Sequence, residues 1–311
     1  MSVASGEHVS AVTVESLVVA LQSIRGVGDA AVEAILRGIA TQNVAPADVV
    51  AMDPTHLQRR FGLAQAQANR IADGLPSVGR HAEELVRQLR HSDVAILTIG
   101  DAAYPQRLAA ALDHPPAAIY CHGDAAMLRR PMIAVANSNG ASREARDAAI
   151  AALGAAIECG FAVVTGHNRP EYQDAALAAY RRGSSCCYVL DRGILTVGAA
   201  TSGAGLFPGA RIWRDPGAPG SELVLSGCAA TMPAVTGSNQ RRDAIILGLA
   251  SVAIATHVRP GGTMERLLTR AAQVGTRIAW IGPGQPPTSL RAQCPDLRAL
   301  ESHRDLVPWL G

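Results

Sequence analysis

The sequence predicts an α/β protein in which a parallel sheet, covered by helices on both faces, follows a small all-α domain. Seven short apolar runs alternate with helical patterns, and they cover residues 95–99, 118–121, 132–136, 161–165, 186–190, 253–256 and 277–281. This alternation indicates βαβ units and a sheet buried on both faces. Hydrophobic residues make up 48% of the chain but aromatic residues only 4%. That composition favours close-packed helices on a Rossmann-like parallel sheet.

After a polar tail of about 10 residues, the chain shows a helical pattern over residues 14–75, with short turns at glycines. Residues 21–36 resemble a helix-hairpin-helix, in which Gly26 and Gly28 permit a tight turn and the amides of the next helix can meet a DNA phosphate. The same turn could instead only join two packed helices. We expect a helical domain of the helix-hairpin-helix or SAM-like type over residues 1–80, including the start of a charged connector helix at residues 76–90. A Rossmann-like domain is expected over residues 81–311.

The charge of the chain limits how it can bind an anionic partner. The net charge is only +2, so a nucleic-acid surface has to be a local patch. All 28 basic residues are arginines, which excludes a Schiff-base lysine, a Walker-type lysine and a lysine general base. Phosphate recognition therefore has to come from arginine side chains or from backbone amides.

Cysteine and histidine spacing predicts neither a metal site nor a bound cofactor. The six cysteines form no CxxC pair and the nine histidines show no HxxxH spacing, so core thiols are the favoured interpretation. No signal peptide is recognised, and no apolar run approaches the roughly 20 residues of a membrane span. We expect a cytoplasmic protein without membrane association.

Three polar or glycine-rich loops follow the carboxyl ends of predicted strands. Since ligands of open α/β sheets bind at that edge, the loops should converge on one phosphate-binding crevice. The candidate residues are Asn137, Ser138 and Asn139 in the first loop, Gly166, His167, Asn168 and Arg169 in the second, and Arg241, Arg242, Gly261, Gly262 and Thr263 in the third.

Several motifs occur in an order that resembles the DNA-processing protein A (DprA/Smf) family. They are Tyr104-Pro105, the Asp-x-Pro-Pro element at residues 113–116, Ser221-Glu222 and the Ile-Ile-Leu-Gly-Leu run at residues 245–249. The match departs from the family at three places. Asn137 and Asn139 stand at the ends of its Gly-Ser-Arg, Glu171-Tyr172 do not match its Gly-Ile-Asp, and Arg242-Asp243-Ala244 replaces its Arg-Asn-Arg.

The resemblance implies a non-enzymatic protein that binds and protects single-stranded DNA. It further implies delivery of the strand to a RecA-type recombinase and a homodimer formed through the Rossmann-like part. The chain ends at Gly311, so the winged-helix domain of many family members is not expected. With few aromatic residues, contacts to the phosphate backbone should dominate over base stacking.

Two alternatives remain open at this stage. The Pro-Gly-Gly-Thr turn at residues 260–263 is similar to the phosphate loop of the lysine-decarboxylase-like (LOG) nucleotide phosphoribohydrolases, which suggests a nucleotide pocket acting as a sensor or hydrolase. The absence of a convincing carboxylate pair or His-Asp set argues against catalysis, and no catalytic residue is assigned. The other alternative is a scaffold whose pocket binds nothing and whose N-terminal helices contact a protein partner.

Overall fold

The computed structural model describes residues 12–197, 206 and 220–310. Within these residues, nine strands form one sheet in the order β1-β2-β6-β5-β4-β3-β7-β8-β9. The strands are β1 Val94–Thr98, β2 Ala118–Gly123, β3 Met132–Val135, β4 Ala162–Thr165, β5 Cys186–Leu190, β6 Glu222–Ser226, β7 Val252–Ala255, β8 Arg277–Trp280 and β9 Arg298–Ala299. All seven predicted strands are present, so the predicted α/β class is confirmed.

The sheet differs from the prediction in two ways. Strand β2 runs antiparallel to both β1 and β6, whereas the other six pairings are parallel. The antiparallel direction of β2 cannot be predicted from the sequence, because periodicity indicates burial but not strand direction. Strands β6 and β9 were also not predicted, because β6 begins with a charged residue, Glu222, and β9 has only two residues.

Twelve α-helices surround the sheet in the part of the chain that the structure describes. The helices are α1 Val14–Ser23, α2 Asp29–Gln42, α3 Pro46–Ala51, α4 Pro54–Phe61, α5 Gln65–His91, α6 Gln106–Ala111, α7 Arg143–Glu158, α8 Pro170–Arg181, α9 Ser238–Leu249, α10 Thr263–Gln273, α11 Thr288–Gln293 and α12 Leu306–Leu310. None of the described helices is long and apolar enough to span a bilayer.

Alternating residues of the strands bury their side chains on opposite faces of the sheet. In β3, Ile133 and Val135 belong to a core that also contains residues of α1, α5, α7 and α8, whereas Met132 and Ala134 pack with residues of α6 and α9. This two-residue period is that of a strand covered on both sides. Helices therefore cover both faces, as the sequence predicts.

The N-terminal helices share their hydrophobic core with the sheet. Leu21 of α1 and Leu89 of α5 belong to the same continuous cluster as Tyr120 of β2. Two polar contacts reinforce this packing, since Ala117 N donates to Asp29 Oδ1 at 3.2 Å and the hydroxyl of Tyr120 donates to Gln22. The boundary predicted at residues 80 and 81 falls inside α5, which continues through Pro76.

The strand order reverses beside β3. Strands β4, β5 and β6 follow on one side of β3, and the chain then returns to place β7 on its other side. In open α/β sheets, the loops that leave the strands at such a reversal diverge and form a crevice. The fold thus places the loops after β3 and β7 around the expected ligand position.

Candidate nucleic-acid interface

A cleft of about 230 Å³ lies at the carboxyl edge of the sheet, where the strand order reverses. Seven of the twelve residues predicted for this crevice line it, with contributions from all three predicted loops. The predicted residues in its wall are Asn137, Ser138, Asn139, Arg169, Arg242, Gly262 and Thr263, and the residues not predicted are Asn239, Gln240, Asp243, Arg259 and Met264. The convergence expected from the sequence is therefore present in the structure.

Asn137 and Ser138 brace the two loops that form the crevice. Asn137 Oδ1 accepts from the backbone N–H groups of Thr256 and His257 at 2.8 and 3.1 Å. Ser138 Oγ accepts from the backbone N–H of Arg259 at 3.0 Å. Both side chains are buried, at 3% and 7% exposure. They fix the distance between the β3 and β7 loops, and their hydrogen-bonding capacity is largely used inside the protein.

Arg242 is a buried hub with 1% exposure. Its Nε and Nη2 atoms donate to Asp243 Oδ1 at 3.0 and 2.8 Å. Its Nη1 atom donates to Asn168 and Asn239, and Nη2 lies 3.5 Å from the hydroxyl of Tyr172. A guanidinium has five N–H groups, so this network satisfies all of them. Burial alone would lower the pKa of Arg242, but the oxygens of Tyr172 and Asp243 outweigh burial and raise it.

Two arginines cover the ring of Tyr172. The guanidinium carbons of Arg169 and Arg242 lie 5.0 and 4.8 Å from the ring centroid. Arg169 also approaches the hydroxyl of Tyr172 at 3.4 Å and Glu171 at 3.6 Å. Burial raises the pKa of Tyr172 well above its usual range. Arg169 therefore reaches the cleft as a partly paired cation, and the ring of Tyr172, which is only 5% exposed, is not available to stack a nucleobase.

Gly166, His167 and Asn168 lie behind the cleft and do not line it. A side chain at Gly166 would approach the ring of Tyr172 to 2.6 Å, so only glycine fits there. Burial lowers the pKa of His167, and Asn168 Nδ2 donates to Asp191 Oδ2 at 2.5 Å. These three predicted site residues support the loop that carries Arg169.

The glycine turn after β7 presents unpaired amides to the cleft. Gly261 has φ +68°, a left-handed conformation that favours glycine, and its N–H donates to Glu265 Oε2 at 2.5 Å. Gly262 then caps α10. Within the described part of the chain, the N–H groups of Thr263 and Met264 have no hydrogen-bond acceptor. A helix N-terminus with free amides attracts a phosphate.

Arg259 is the binding candidate that the site prediction left out. Its side chain is exposed and lines the cleft, and it makes no hydrogen bond or ion pair with any residue that the structure describes. The sequence contains a signal for it, because Arg259 directly precedes the Pro-Gly-Gly-Thr turn, which is similar to a phosphate loop. It is the most available cation in the wall of the cleft.

Arg241 turns away from the cleft towards the N-terminal helices. Its Nη2 atom lies 2.6 Å from Asp29 Oδ2 and donates to the carbonyl of Gly227 at 2.6 Å. It lines a smaller cavity of about 160 Å³ together with Gly28 and Asp29. The structure thus separates Arg241 from Arg242, although the sequence placed both in one site.

The predicted hairpin contact residues lie on this same side. Gly26 has φ +86°, and its carbonyl accepts from Arg70 Nη1 at 3.5 Å. Gly28 precedes α2, and both glycines are exposed.

Ser221 and Glu222 lie at the amino end of β6, at the opposite edge of the sheet from the cleft. Among the described residues, no group of three His, Cys, Asp or Glu side chains is placed to hold a metal ion.

The chain is similar to proteins that process DNA. The sequence model of one family, described as DNA recombination-mediator protein A, matches residues 95–297. The structure of DNA processing protein A (DprA) from Streptococcus pneumoniae is similar over 96% of this chain and 98% of that chain, with a TM-score of 0.67 and 16% identity.

A second solved structure is similar over a shorter range. DNA processing protein A from Helicobacter pylori, described for its single-stranded DNA binding mode, matches 70% of this chain and 95% of its own, with a TM-score of 0.52 and 15% identity. At such identities the structural similarity concerns the fold. No curated protein sequence matches the chain.

Proposed function

Because the chain belongs to the DNA recombination-mediator protein A family, we propose that this DNA-processing protein binds single-stranded DNA in the cleft at the carboxyl edge of its sheet. It would protect the strand, deliver it to a RecA-type recombinase and act as a homodimer. The similar H. pylori protein is described as binding single-stranded DNA. The observation that carries the proposal is that the exposed side chain of Arg259 and the first amides of α10 lie together and have no partner among the described residues.

The cleft suits recognition of a sugar-phosphate backbone. A phosphate would sit at the N-terminus of α10, with Arg259 and Arg169 as its cationic partners and Asn139 as an exposed hydrogen-bonding side chain. No aromatic residue lines the cleft within the described part of the chain. Binding should therefore tolerate any base sequence and respond to salt.

A non-enzymatic role is part of the proposal. Asp243 forms an ion pair with Arg242 at 2.8 Å, and Asp191 is buried against Arg192 and Asn168. Asp191 also lies 4.0 Å from His167, but neither of these two residues lines the cleft, and among the described residues of the cleft wall Asp243 has no second acid or histidine beside it. Binding and handover of a strand need no bond to be broken, so this arrangement is sufficient for the proposed function.

The test is fluorescence anisotropy of a labelled oligo-dT of about 35 nucleotides at several salt concentrations. Each phosphate neutralised on a single strand contributes about −0.7 to the slope of log K against log salt. Two cleft arginines should thus give a slope near −1.4, and Arg259→Ala should reduce it to about −0.7. Arg298 is exposed at the amino end of β9, at the opposite edge of the sheet, so Arg298→Ala is the matched control. Equal affinities and slopes for both variants would contradict this site.

A second candidate function is binding of a single nucleotide. The volume of about 230 Å³ is closer to one nucleotide than to a groove along a strand, and the glycine turn supplies a phosphate site in either case. Direct titration with a labelled mononucleotide distinguishes the two. Binding at micromolar nucleotide, with no detectable binding of the labelled strand, would favour the nucleotide pocket.

A further inference from the structure

The carboxylate of Asp243 presents one oxygen to the cleft. Its Oδ1 atom accepts from Nε and Nη2 of Arg242 and from the hydroxyl of Tyr172. Its Oδ2 atom has no hydrogen-bond donor among the residues that the structure describes. Oδ2 is also not among the described buried side-chain atoms that lack a partner. Since Asp243 lines the cleft, Oδ2 is an open acceptor in its wall.

An ionised carboxylate can only accept hydrogen bonds. Apart from the hydroxyls at its two ends, a deoxyribose-phosphate backbone has no hydrogen-bond donor to offer it. Each ribose of an RNA strand, in contrast, carries a 2′-hydroxyl that can donate. In dinucleotide sites of α/β sheets, an acidic residue takes this role beside a phosphate that is held at a helix N-terminus. Base amino groups fit less well, because no described cleft residue offers an aromatic face to hold a base.

We infer that Asp243 accepts a hydrogen bond from a sugar hydroxyl, so that the cleft binds ribonucleotide units more tightly than the corresponding deoxyribonucleotide units. The inference rests on the proposed function, since both place a phosphate beside Arg259 and Thr263. The ion pair with Arg242 at 2.8 Å offsets the negative charge of Asp243. The carboxylate can therefore lie near a phosphate without strong repulsion.

The test compares oligo-rU, oligo-dU and 2′-fluoro oligo-U of equal length by fluorescence anisotropy. The 2′-fluoro sugar keeps a ribose-like pucker but has no O–H donor. A hydrogen bond to a charged acceptor predicts about tenfold tighter binding of oligo-rU than of either other strand. Asp243→Asn should lower this ratio several-fold. Arg259→Ala should weaken all three strands and leave the ratio unchanged.

The outcomes separate this inference from the proposed function. Salt-dependent binding with equal affinities for oligo-rU and oligo-dU would overturn the inference and leave the proposed function intact. Equally tight binding of oligo-rU and the 2′-fluoro strand would assign any preference to sugar pucker and would also overturn it. The comparison among the three ligands uses the unaltered protein, so it does not depend on the folding of a variant.

If no strand binds, the proposed function fails and mononucleotides decide the inference. UMP, dUMP and 2′-fluoro-dUMP are then compared by thermal shift. Stabilisation by UMP that exceeds that by the other two, and that is lost in Asp243→Asn, would support the sugar contact. Equal shifts, or no shift with any of the three, would overturn it.

Discussion

Replacement of Arg242 by alanine should destabilise the fold, although Arg242 lies in the wall of the cleft. Its guanidinium neutralises Asp243, and its Nη1 atom lies 3.6 Å from Asp191, whose side chain is 3% exposed. Removal of one partner from a buried ion pair costs about 3–5 kcal/mol, because the remaining charge is left uncompensated. The Arg242→Ala variant should lose about that much free energy of unfolding.

The expected shift in melting temperature follows from chain length. For 311 residues, an unfolding entropy of about 2.1 cal/mol/K per residue makes 1 kcal/mol equivalent to about 1.5 °C. Arg242→Ala should therefore lower Tm by roughly 5–8 °C. The matched control is Arg259→Ala, which removes an exposed side chain without a described partner and should change stability by less than about 0.5 kcal/mol.

Differential scanning fluorimetry of the two variants checks this reasoning. Equal melting temperatures would refute it, since they would mean that the guanidinium of Arg242 is not the buried partner of two carboxylates. If Arg242→Ala is destabilised, binding measurements on variants of Arg242 do not report a phosphate contact alone. A loss of strand binding after replacement of Arg241 and Arg242 together would then reflect misfolding of the loop as much as loss of a phosphate contact.

Three further predictions concern the stability and organisation of the chain. Removal of residues 1–75 should expose the apolar face of the sheet that these helices cover, so the fragment should aggregate in size-exclusion chromatography, and a monodisperse fragment would contradict a shared core. Burial lowers the pKa of His167 in the folded chain, so the unfolded chain binds its proton more tightly and stability should fall as pH drops below about 6.5. His167→Gln should flatten the dependence of Tm on pH below that value. An unchanged dependence in this variant would show that groups other than His167 cause it. A double-mutant cycle between Asp29→Asn and Arg241→Gln should give a coupling of about 1 kcal/mol or more across their 2.6 Å ion pair, and additive effects would exclude a stabilising role for that pair.

The sheet could be predicted from the sequence because its signal is local. In β5, five consecutive buried residues from Cys186 to Leu190 form an apolar run that is bounded by polar turns, and such a run reads as a buried strand without tertiary information. Strand direction has no comparable local signal. The antiparallel β2 and the pairing of β6 beside β5 depend on how the chain crosses over, which periodicity does not report.

The roles of the site residues were harder to predict, because neighbours in sequence face different directions in the fold. Consecutive residues of a helix are rotated by about 100°. Arg241 and Arg242 of α9 therefore point to different surroundings, one towards Asp29 and the other towards Asp243 and Tyr172. The sequence predicts both arginines at the carboxyl edge of the sheet, but it does not show which carboxylates are paired with them.

The number of arginines in this protein is a poor guide to the number of cationic side chains that are available to a ligand. The chain has 28 arginines, yet of the three in the wall of the cleft one is fully engaged and another is partly paired. Only Arg259 of these three is available to a ligand. Its backbone N–H donates to Ser138, but its side chain has no partner among the described residues. With so few free cations, the proposed site would depend on the amides of α10 for much of its attraction to phosphate. A backbone amide carries no net charge and displaces no counterion from the strand when it binds. Affinity at this cleft should therefore depend less on salt than the arginine content of the chain suggests.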